Sequence, residues 1–330
     1  MHSKPDNSKE LIREFLLNFQ NDLTSNLEKL DGKATFIEDK WTNPELGGGK
    51  TRVLSSGDLF EQGGVNFSEI SKDKVPESLL GHKPELKDQK FWGAGVSMVL
   101  HPKSPFCPTV HLNYRYFEAG SVFWFGGGAD LTPYYPFEED CILWHQAHKD
   151  AMDKHDPNFY PAFKYWCDEY FYNHHRGETR GVGGVFYDYQ DGKEGLLVKA
   201  DYARKSEDNN NPALNLKIKP KTWDELFSFH KDTSAAFLKA YRPIINKRKD
   251  IGWSESQRDF QLYRRGRYVE FYLLYDRGTL FGLQSKGRVE SILMSLPPLV
   301  KWQYNYHPEP GTKEFELTDK FLTRGVDWVV

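Results

Sequence analysis

The sequence predicts one domain of the α+β class, in which long helical segments and groups of short strands follow each other along the chain. Residues 8–30 place leucine and phenylalanine at helical intervals, whereas residues 36–67 form short apolar stretches that glycines interrupt. No linker rich in proline or serine divides the 330 residues. We therefore expect a single domain over 1–330, in which 1–35 form an N-terminal helix with its extension.

In the first half of the chain, the sequence indicates where one helix begins and where a second helical segment is interrupted. Ser8 lies where the first helix begins, and a serine hydroxyl there can cap the first turn. Residues 138–172 also have helical periodicity. The dipeptide Asp156-Pro157 should divide this segment into two helices, because proline cannot continue a helix.

The second half contains a strand, a loop and a further helix. Residues 181–189 combine apolar and aromatic residues as a strand does. The polar stretch 203–221 predicts a surface loop. Thr222 and Glu225 have the spacing of a capping box, which predicts a helix over 222–239.

Near the C-terminus the apolar pattern is dense. Residues 269–283 are rich in aromatic and aliphatic side chains and predict a central strand that ends in a turn at 276–278. Residues 291–302 are expected to close the core.

Composition excludes several classes of protein. A formal net charge of -3 is not that of a nucleic-acid-binding domain, which is usually basic. No apolar run reaches the roughly 18 residues of a membrane span, and the first ten residues lack the pattern of a signal or transit peptide. Cys107, Cys141 and Cys167 form no CxxC motif and indicate free thiols in a reducing compartment. We expect a cytoplasmic protein without a membrane span or a nucleic-acid partner.

One predicted strand has a polar face of unusual chemistry. His111, Asn113 and Arg115 occur at every second position, so in a strand their side chains share one face. The opposite face is apolar and aromatic, with Val110, Leu112, Tyr114 and Tyr116. A solvated sheet face would explain the triplet. An anionic ligand would explain it too, because desolvating these groups is costly unless a partner is present.

Whether four histidines of the chain form a metal site is left undecided by their spacing. His101, His111, His145 and His175 lie far apart in sequence and show no compact ligand spacing. Folding could still bring them together around a divalent ion.

Long segments of the chain match one family in the order in which that family has them. They are GAGVSMVLHPKSPFCPTVHLNYRYFE, WFGGGADLTPYY, EEDCILWHQAH, FKYWCDEYFYNHHRGETRGVGGVFYD, GRYVEFYLLYDRGTLFGL and RVESILMSLPP. From about Trp41 to Trp328 the chain resembles the oxygen-dependent coproporphyrinogen III oxidases.

The resemblance implies a fold and a reaction. The expected fold is a large antiparallel β-sheet flanked on both faces by α-helices, and the expected assembly is a homodimer. The implied reaction converts coproporphyrinogen III to protoporphyrinogen IX by oxidative decarboxylation of two propionates to vinyls, in haem biosynthesis. O2 is the implied co-substrate, and no organic cofactor is implied.

The resemblance also assigns residues. His111 is the expected proton donor. The expected substrate contacts lie in two groups, Ser97, Asn113, Tyr114 and Arg115, and, at the far end of the cleft, Lys286, Gly287 and Arg288. The resemblance also leaves open whether the same four histidines bind a metal.

The chemistry of such a substrate suits further side chains. Its four carboxylates call for guanidinium groups, which Arg115, Arg180, Arg277 and Arg288 provide. Its pyrrole N–H groups call for a carboxylate that would also stabilise positive charge on the ring during oxidation, and the two candidates are Asp130 and Asp276. Asp276 would equally suit a turn.

Two other functions fit the same residues. One is a metal-dependent oxygenase that uses the four histidines, and the other is a tetrapyrrole-binding protein without turnover. The predicted catalytic residues are His111, Arg115, Asp130, Arg180 and Asp276. Their presence together with Ser97 and Arg288 favours the oxidase over a binding protein.

Overall fold

The computed structural model describes residues 3–44, 47–81, 83–198, 210–284 and 287–329. The strands are β1 (Ile37–Asn43), β2 (Gly47–Ser55), β3 (Phe60–Lys72), β4 (Phe91–Pro102), β5 (Thr109–Ala119), β6 (Val122–Thr132), β7 (Tyr172–Asn173), β8 (Glu178–Thr179), β9 (Gly183–Gln190), β10 (Gly195–Leu196) and β11 (Lys217–Ile218). Seven of them form a central antiparallel sheet with the order β1-β2-β3-β4-β5-β6-β9. The large antiparallel sheet implied by the resemblance is confirmed.

Helices lie on both faces of this sheet. They are α1 (Ser8–Asp31), α2 (Glu77–Leu80), α3 (Glu138–Met152), α4 (Phe159–Tyr170), α5 (Trp223–Arg248), α6 (Glu255–Leu274), α7 (Arg277–Gln284), α8 (Val289–Leu293) and α9 (Lys313–Glu316). Single helical turns occur at Pro84–Leu86, Pro212–Asn215 and Leu317–Phe321. Within the described residues, no helix is long and apolar enough to cross a membrane.

One face of the sheet, which we call the core face, packs against α1 and α5. The Tyr114 ring lies edge-on to Phe19 of α1 at 5.8 Å, and its hydroxyl donates to the Thr233 carbonyl of α5 at 2.9 Å. Trp223 of α5 donates to the Tyr116 hydroxyl at 3.1 Å. Aromatic packing of this kind, with each polar tip hydrogen-bonded, buries the apolar side of β5 completely.

The opposite face, which we call the site face, is covered by α6, α7, α8 and the segment after α8. Ser291 of α8 contacts Thr51 of β2, with 2.8 Å between the two hydroxyl oxygens. Gln62 of β3 donates to the Met294 carbonyl at 3.2 Å. The cover is therefore attached to the sheet largely through polar groups.

Most of the predicted elements are confirmed. Three strands form between residues 37 and 72, and the segment around Asp156-Pro157 separates α3 from α4. Thr222 and Glu225 form a capping box, with Thr222 Oγ1 accepting from the Glu225 amide, and the helix that follows extends to Arg248.

The predicted cap of the first helix is wrong. Asn7 is the N-cap of α1, and its side chain makes no capping hydrogen bond. Ser8 is the first helical residue, and its hydroxyl instead donates to Glu118 Oε2 at 2.9 Å. The hydroxyl thus anchors the helix to β5 and does not close its first turn.

The central strand predicted at 269–283 is also wrong. The region consists of the end of α6 and the whole of α7, with a break at Tyr275 and Asp276. The apolar run is too short to distinguish strand from helix by itself. The deciding signal lies upstream, where Ser254 and Gln257 form a capping box that starts α6.

The C-terminal prediction is correct only for its first residues. Ser291 and Met294 are buried, but Leu299 and Trp302 are each 55 % exposed, so the stretch does not close the core. Of the predicted loop 203–221, residues 203–209 lie outside the described part. Residues 210–221 contain one helical turn and the short strand β11.

Candidate functional site

The site face carries a row of polar residues across four strands. Thr51, Asn66, Ser97 and Asn113 are successive Cα partners from β2 to β5. Thr51 Oγ1 donates to Asn66 Oδ1 at 2.7 Å. His111 and Arg115 flank Asn113 on the same face, as the period of two in β5 predicts, and all three are half-buried.

Glycines line part of the site face in β4 and β6, and we call this part the glycine floor. Gly95 of β4 and Gly126 of β6 are the two neighbours of Arg115 in adjacent strands, and Gly128 is the neighbour of Asn113. Because Gly126 has no side chain, the Arg115 side chain can lie against the backbone of β6, where a Cβ atom would come within 3.0 Å of Arg115 Nε.

The neighbour of His111 in β6 is Asp130. Asp130 Oδ1 accepts from His111 Nδ1 at 2.8 Å. Arg180 Nη2 donates to both carboxylate oxygens, at 2.8 Å to Oδ1 and 2.7 Å to Oδ2. Asp130 therefore lies between a histidine and an arginine, and each group fixes the next.

Arg180 is enclosed by three aromatic rings. Its guanidinium carbon lies 4.1 Å from the Phe171 ring centroid, 4.7 Å from that of Tyr268 and 4.8 Å from that of Phe271. Burial opposes ionisation of Asp130, but Arg180 and His111 together hold the pKa of the carboxyl below its ordinary value. The buried pair is thus a fixed ion pair.

Exposure separates the roles of His111 and Asp130. The His111 side chain is 16 % exposed and that of Asp130 only 2 %. Within the described residues, the His111 ring makes one hydrogen bond, from Nδ1 to Asp130. Nε2 is therefore the ring nitrogen of His111 that does not contact Asp130, and a ligand on the site face would reach the histidine more readily than the carboxylate. Direct contact between Asp130 and pyrrole N–H groups stays a prediction, and in this structure His111 and Arg180 contact the two carboxylate oxygens.

Two hydrogen-bond partners hold the Arg115 guanidinium group. Nη1 donates to Asn113 Oδ1 at 2.9 Å, and Nη2 donates to Asp188 Oδ2 at 2.8 Å. Arg277 Nη2 lies 3.7 Å from the same Asp188 oxygen. Burial opposes the charge on Arg115, but Asp188 keeps the pKa of the guanidinium above its ordinary value.

Asp188, which contacts Arg115 and Arg277, is a member of this cluster that the sequence did not predict. It shares the period of β9 with Gly184 and Phe186, the register partners of Asp130 and Gly128. That alternation is the signal that could have identified it, but the signal requires knowing that β9 pairs with β6.

Asp276 has a structural position. Its Oδ1 accepts from the Thr279 amide at 2.7 Å, as an N-cap of α7 does. This is the turn role that the sequence left open. Arg277, the first residue of α7, has a side chain that is 40 % exposed and donates its backbone amide to the Tyr170 hydroxyl at 3.2 Å.

Of the three residues predicted at the far end of the cleft, the structure describes Gly287 and Arg288. Arg288 bonds to Asp39 of β1 and donates to Ser291 Oγ at 3.2 Å, so it lies on the other side of the site face from Arg115. Gly287 precedes it, and Lys286 lies outside the described residues. Tyr114 points to the core face and is fully buried, so its side chain does not line the site.

The four histidines do not form a metal centre. His101 Nε2 bonds to the Ser295 carbonyl, and His145 Nε2 bonds to the Val182 carbonyl, each at 2.9 Å. Burial lowers the pKa of each of these two rings to about 3. His175 Nε2 bonds to Glu270 on another part of the surface.

His111 is bonded to Asp130, so the four imidazoles have four separate environments. In the described ranges, no group of three or more His, Cys, Asp or Glu side chains could hold a metal ion. The donor set anticipated for a metal therefore does not fit one.

Comparison with known proteins identifies close relatives. The sequence model of the family described as coproporphyrinogen III oxidase matches residues 11–328. A Synechococcus sp. (strain CC9605) protein named oxygen-dependent coproporphyrinogen-III oxidase is 52 % identical over 329 residues, which cover 98 % of this chain and 89 % of that protein. A protein of the same name from Prochlorococcus marinus (strain NATL2A) is 53 % identical over 323 residues, which cover 98 % and 92 %.

Proposed function

The chain belongs to the coproporphyrinogen III oxidase family, and we propose that it carries out the family's reaction on the site face, with His111 as the group that moves protons. The reaction is the oxygen-dependent oxidative decarboxylation of coproporphyrinogen III in haem biosynthesis. The observation that carries the assignment of the site is the chain His111–Asp130–Arg180, in which two members are buried and His111, partly exposed, lies beside the glycine floor.

The substrate carboxylates are bound by arginines at two sides of this floor. Arg115 and Arg277 lie near β5 and β9, and Arg288 lies near β1. Arg288 also donates to Ser291, whose hydroxyl contacts Thr51 of β2. β2 lies three strand spacings of about 4.8 Å from β5, which is roughly 14 Å. A flat macrocycle with carboxylates around its rim can span this distance, and guanidinium groups bind such carboxylates through paired hydrogen bonds.

Proton transfer falls to His111. Asp130 fixes the imidazole with its Nδ1 proton toward the carboxylate, so Nε2 is directed to the ligand. Arg180 keeps Asp130 ionised and in place. An imidazole positioned in this way can donate or accept a proton at the reacting carbon or at reduced oxygen.

The balance for one propionate is simple. The side chain loses CO2 and the equivalent of a hydride and becomes a vinyl group. O2 takes the two electrons and, with one further proton, leaves as hydrogen peroxide. The second propionate follows the same balance. We propose that the electron-rich substrate reduces O2 itself, so that neither an organic cofactor nor a metal held by the four separate histidines takes part.

Aerobic turnover tests this function. Purified protein should convert coproporphyrinogen III to protoporphyrinogen IX, measured by fluorescence chromatography after oxidation of the products. His111→Asn, which keeps a hydrogen-bonding side chain but cannot transfer a proton, should bind the substrate and lose most of kcat. Wild-type protein that binds without turnover would instead support a tetrapyrrole-binding protein.

The assembly and location belong to the same proposal. We propose a homodimer, in which a second subunit covers some of the exposed large apolar side chains, among them Leu274, Leu299 and Trp302. Light scattering should give twice the mass of one chain, and a monomer at micromolar concentration would contradict it. The three buried cysteines are free thiols, which is consistent with a cytoplasmic location.

A further inference from the structure

We infer that Asp188 is a positioning residue that tunes how the site binds substrate carboxylates, by holding Arg115 and cancelling one unit of the positive charge that Arg115 and Arg277 bring. This inference rests on the proposed function, because it concerns the same site. Asp188 Oδ2 lies 2.8 Å from Arg115 Nη2 and 3.7 Å from Arg277 Nη2. One protein carboxylate thus contacts the two guanidinium groups that we assign to the substrate.

An irregularity of the sheet directs Asp188 to this position. The pairing of β6 and β9 shifts between Phe125 and Gly127, so that Asp188 and Tyr189 together lie opposite Gly126. Tyr189 has a φ of 54°, a left-handed conformation that an aromatic residue seldom adopts. Its amide donates to Asp188 Oδ1 at 3.0 Å, which fixes the carboxylate.

The opposing strand leaves space for the ion pair. A Cβ atom on Gly126 would lie 2.6 Å from Asp188 Oδ1 and 3.0 Å from Arg115 Nε. Both contacts are too short for a side chain at that position. The bulge in β9 and the glycine in β6 therefore serve the same arrangement, in which Asp188 and Arg115 lie directly on the backbone of β6.

Charge explains what this arrangement does. Without Asp188, two guanidinium groups would bind a carboxylate of the substrate more tightly, and they would be left without an anionic partner once that carboxylate had gone. With Asp188, a substrate carboxylate shares the guanidinium groups with a carboxylate of the protein. When a substrate carboxylate leaves as CO2, Asp188 remains as a partner for Arg115, so the site need not keep an unpaired charge.

Replacing Asp188 by a neutral residue tests the inference. Asp188→Asn should bind coproporphyrin III, the unreactive oxidised form of the substrate, about five- to tenfold more tightly than wild type at low salt. Its affinity should fall more steeply with salt, because more positive charge is uncompensated. Its kcat should fall, since Arg115 loses the partner that orients it, while its KM falls as well.

Two further variants keep the test decisive. Asp188→Ser provides a second neutral replacement should the amide disturb folding, and both variants must shift affinity in the same direction. Asp140→Asn is the matched control. Asp140 is similarly buried and accepts from Arg248 Nε at 2.7 Å, but it lies on α3 away from the site. Its loss should lower stability and leave coproporphyrin affinity and its salt dependence unchanged.

The outcomes separate the two proposals. Unchanged or weaker coproporphyrin binding by both neutral Asp188 variants, with wild type binding and turning over normally, would overturn the inference alone. Failure of wild type to bind coproporphyrin III or to turn over coproporphyrinogen III would overturn the proposed function.

Discussion

The two faces of the central sheet are made by alternate residues of the same strands, but different interactions bury them. On the core face, Leu112 and Tyr114 are fully buried against apolar and aromatic side chains of α1 and α5. On the site face, His111 and Arg115 are half-buried and paired with carboxylates.

The helices that cover the faces differ in the same way. α6, above the site face, carries four arginines that are paired with Glu61, Glu178 and Glu270. Burying an ion pair costs desolvation free energy, which the attraction between the two charges offsets only partly. Such a pair therefore contributes less to the stability of the fold than apolar packing of the same volume. The core face therefore stabilises the fold by apolar packing, whereas the site face holds charged groups in fixed positions through ion pairs that contribute less to stability.

The largest expected effect comes from the site face. Asp130→Asn keeps the shape of the side chain but removes the charge that orients His111, so kcat should fall by about 10² to 10⁴. Steady-state turnover of coproporphyrinogen III measures the loss, with the far-ultraviolet circular dichroism of each variant as the folding control. A kcat close to wild type would remove Asp130 from the mechanism.

A substitution on the core face should show the reverse pattern. Leu112 is the register partner of Ala129 in β6 and is fully buried. Leu112→Ala should lower the free energy of unfolding by about 2–5 kcal/mol, because it leaves a cavity. Urea unfolding measures this loss, and kcat should be unchanged at temperatures where the variant is folded. A variant that is stable but inactive would break the division between the faces.

Acid should weaken the site face more than the core face. The pKa of Asp130 is lower in the folded protein than in the unfolded chain, where it is about 3.9. The carboxylate therefore stabilises the fold above that pH, and this contribution is lost as the pH falls through the folded pKa. Between about pH 5 and pH 3, wild type should lose more stability than Asp130→Asn. Parallel urea titrations compare them, and equal pH dependence would show that the charge of Asp130 does not stabilise the fold.

The smallest expected effect is that of metal removal. Since His101, His111, His145 and His175 are bonded in four separate environments, exhaustive treatment with a chelator should leave kcat unchanged. Metal analysis before and after treatment verifies that any bound ion has been removed. Activity that disappears with the chelator and returns with one divalent metal would revive the metal-dependent oxygenase.

The sequence alone groups the site-face residues of one strand, β5, but it does not identify their partners on neighbouring strands. The period of two in β5 is enough to group His111, Asn113 and Arg115, because side-chain direction in a strand is a local property. Asp130 becomes the neighbour of His111 through the register of β5 and β6, and Arg180 reaches it from a segment 50 residues away. Such pairings depend on tertiary contacts that no local pattern encodes.

The errors have equally specific causes. The strand expected at 269–283 is helical because α6 starts upstream, at the capping box of Ser254. Tyr114 matches a family motif, but alternation in β5 places its side chain on the core face. Asp188 was missed because a bulge between β6 and β9, invisible in the sequence, directs it to Arg115.

The most direct test of the site-face assignment is a crystal structure of the protein with coproporphyrin III bound. The macrocycle should lie on the glycine floor beside His111, with carboxylates at Arg115 and Arg277 on one side and at Arg288 on the other. His111 Nε2 should be the closest titratable atom to the ring or to a propionate side chain. A ligand bound elsewhere on the chain, or one that leaves His111 and Arg115 without contact, would contradict the assignment.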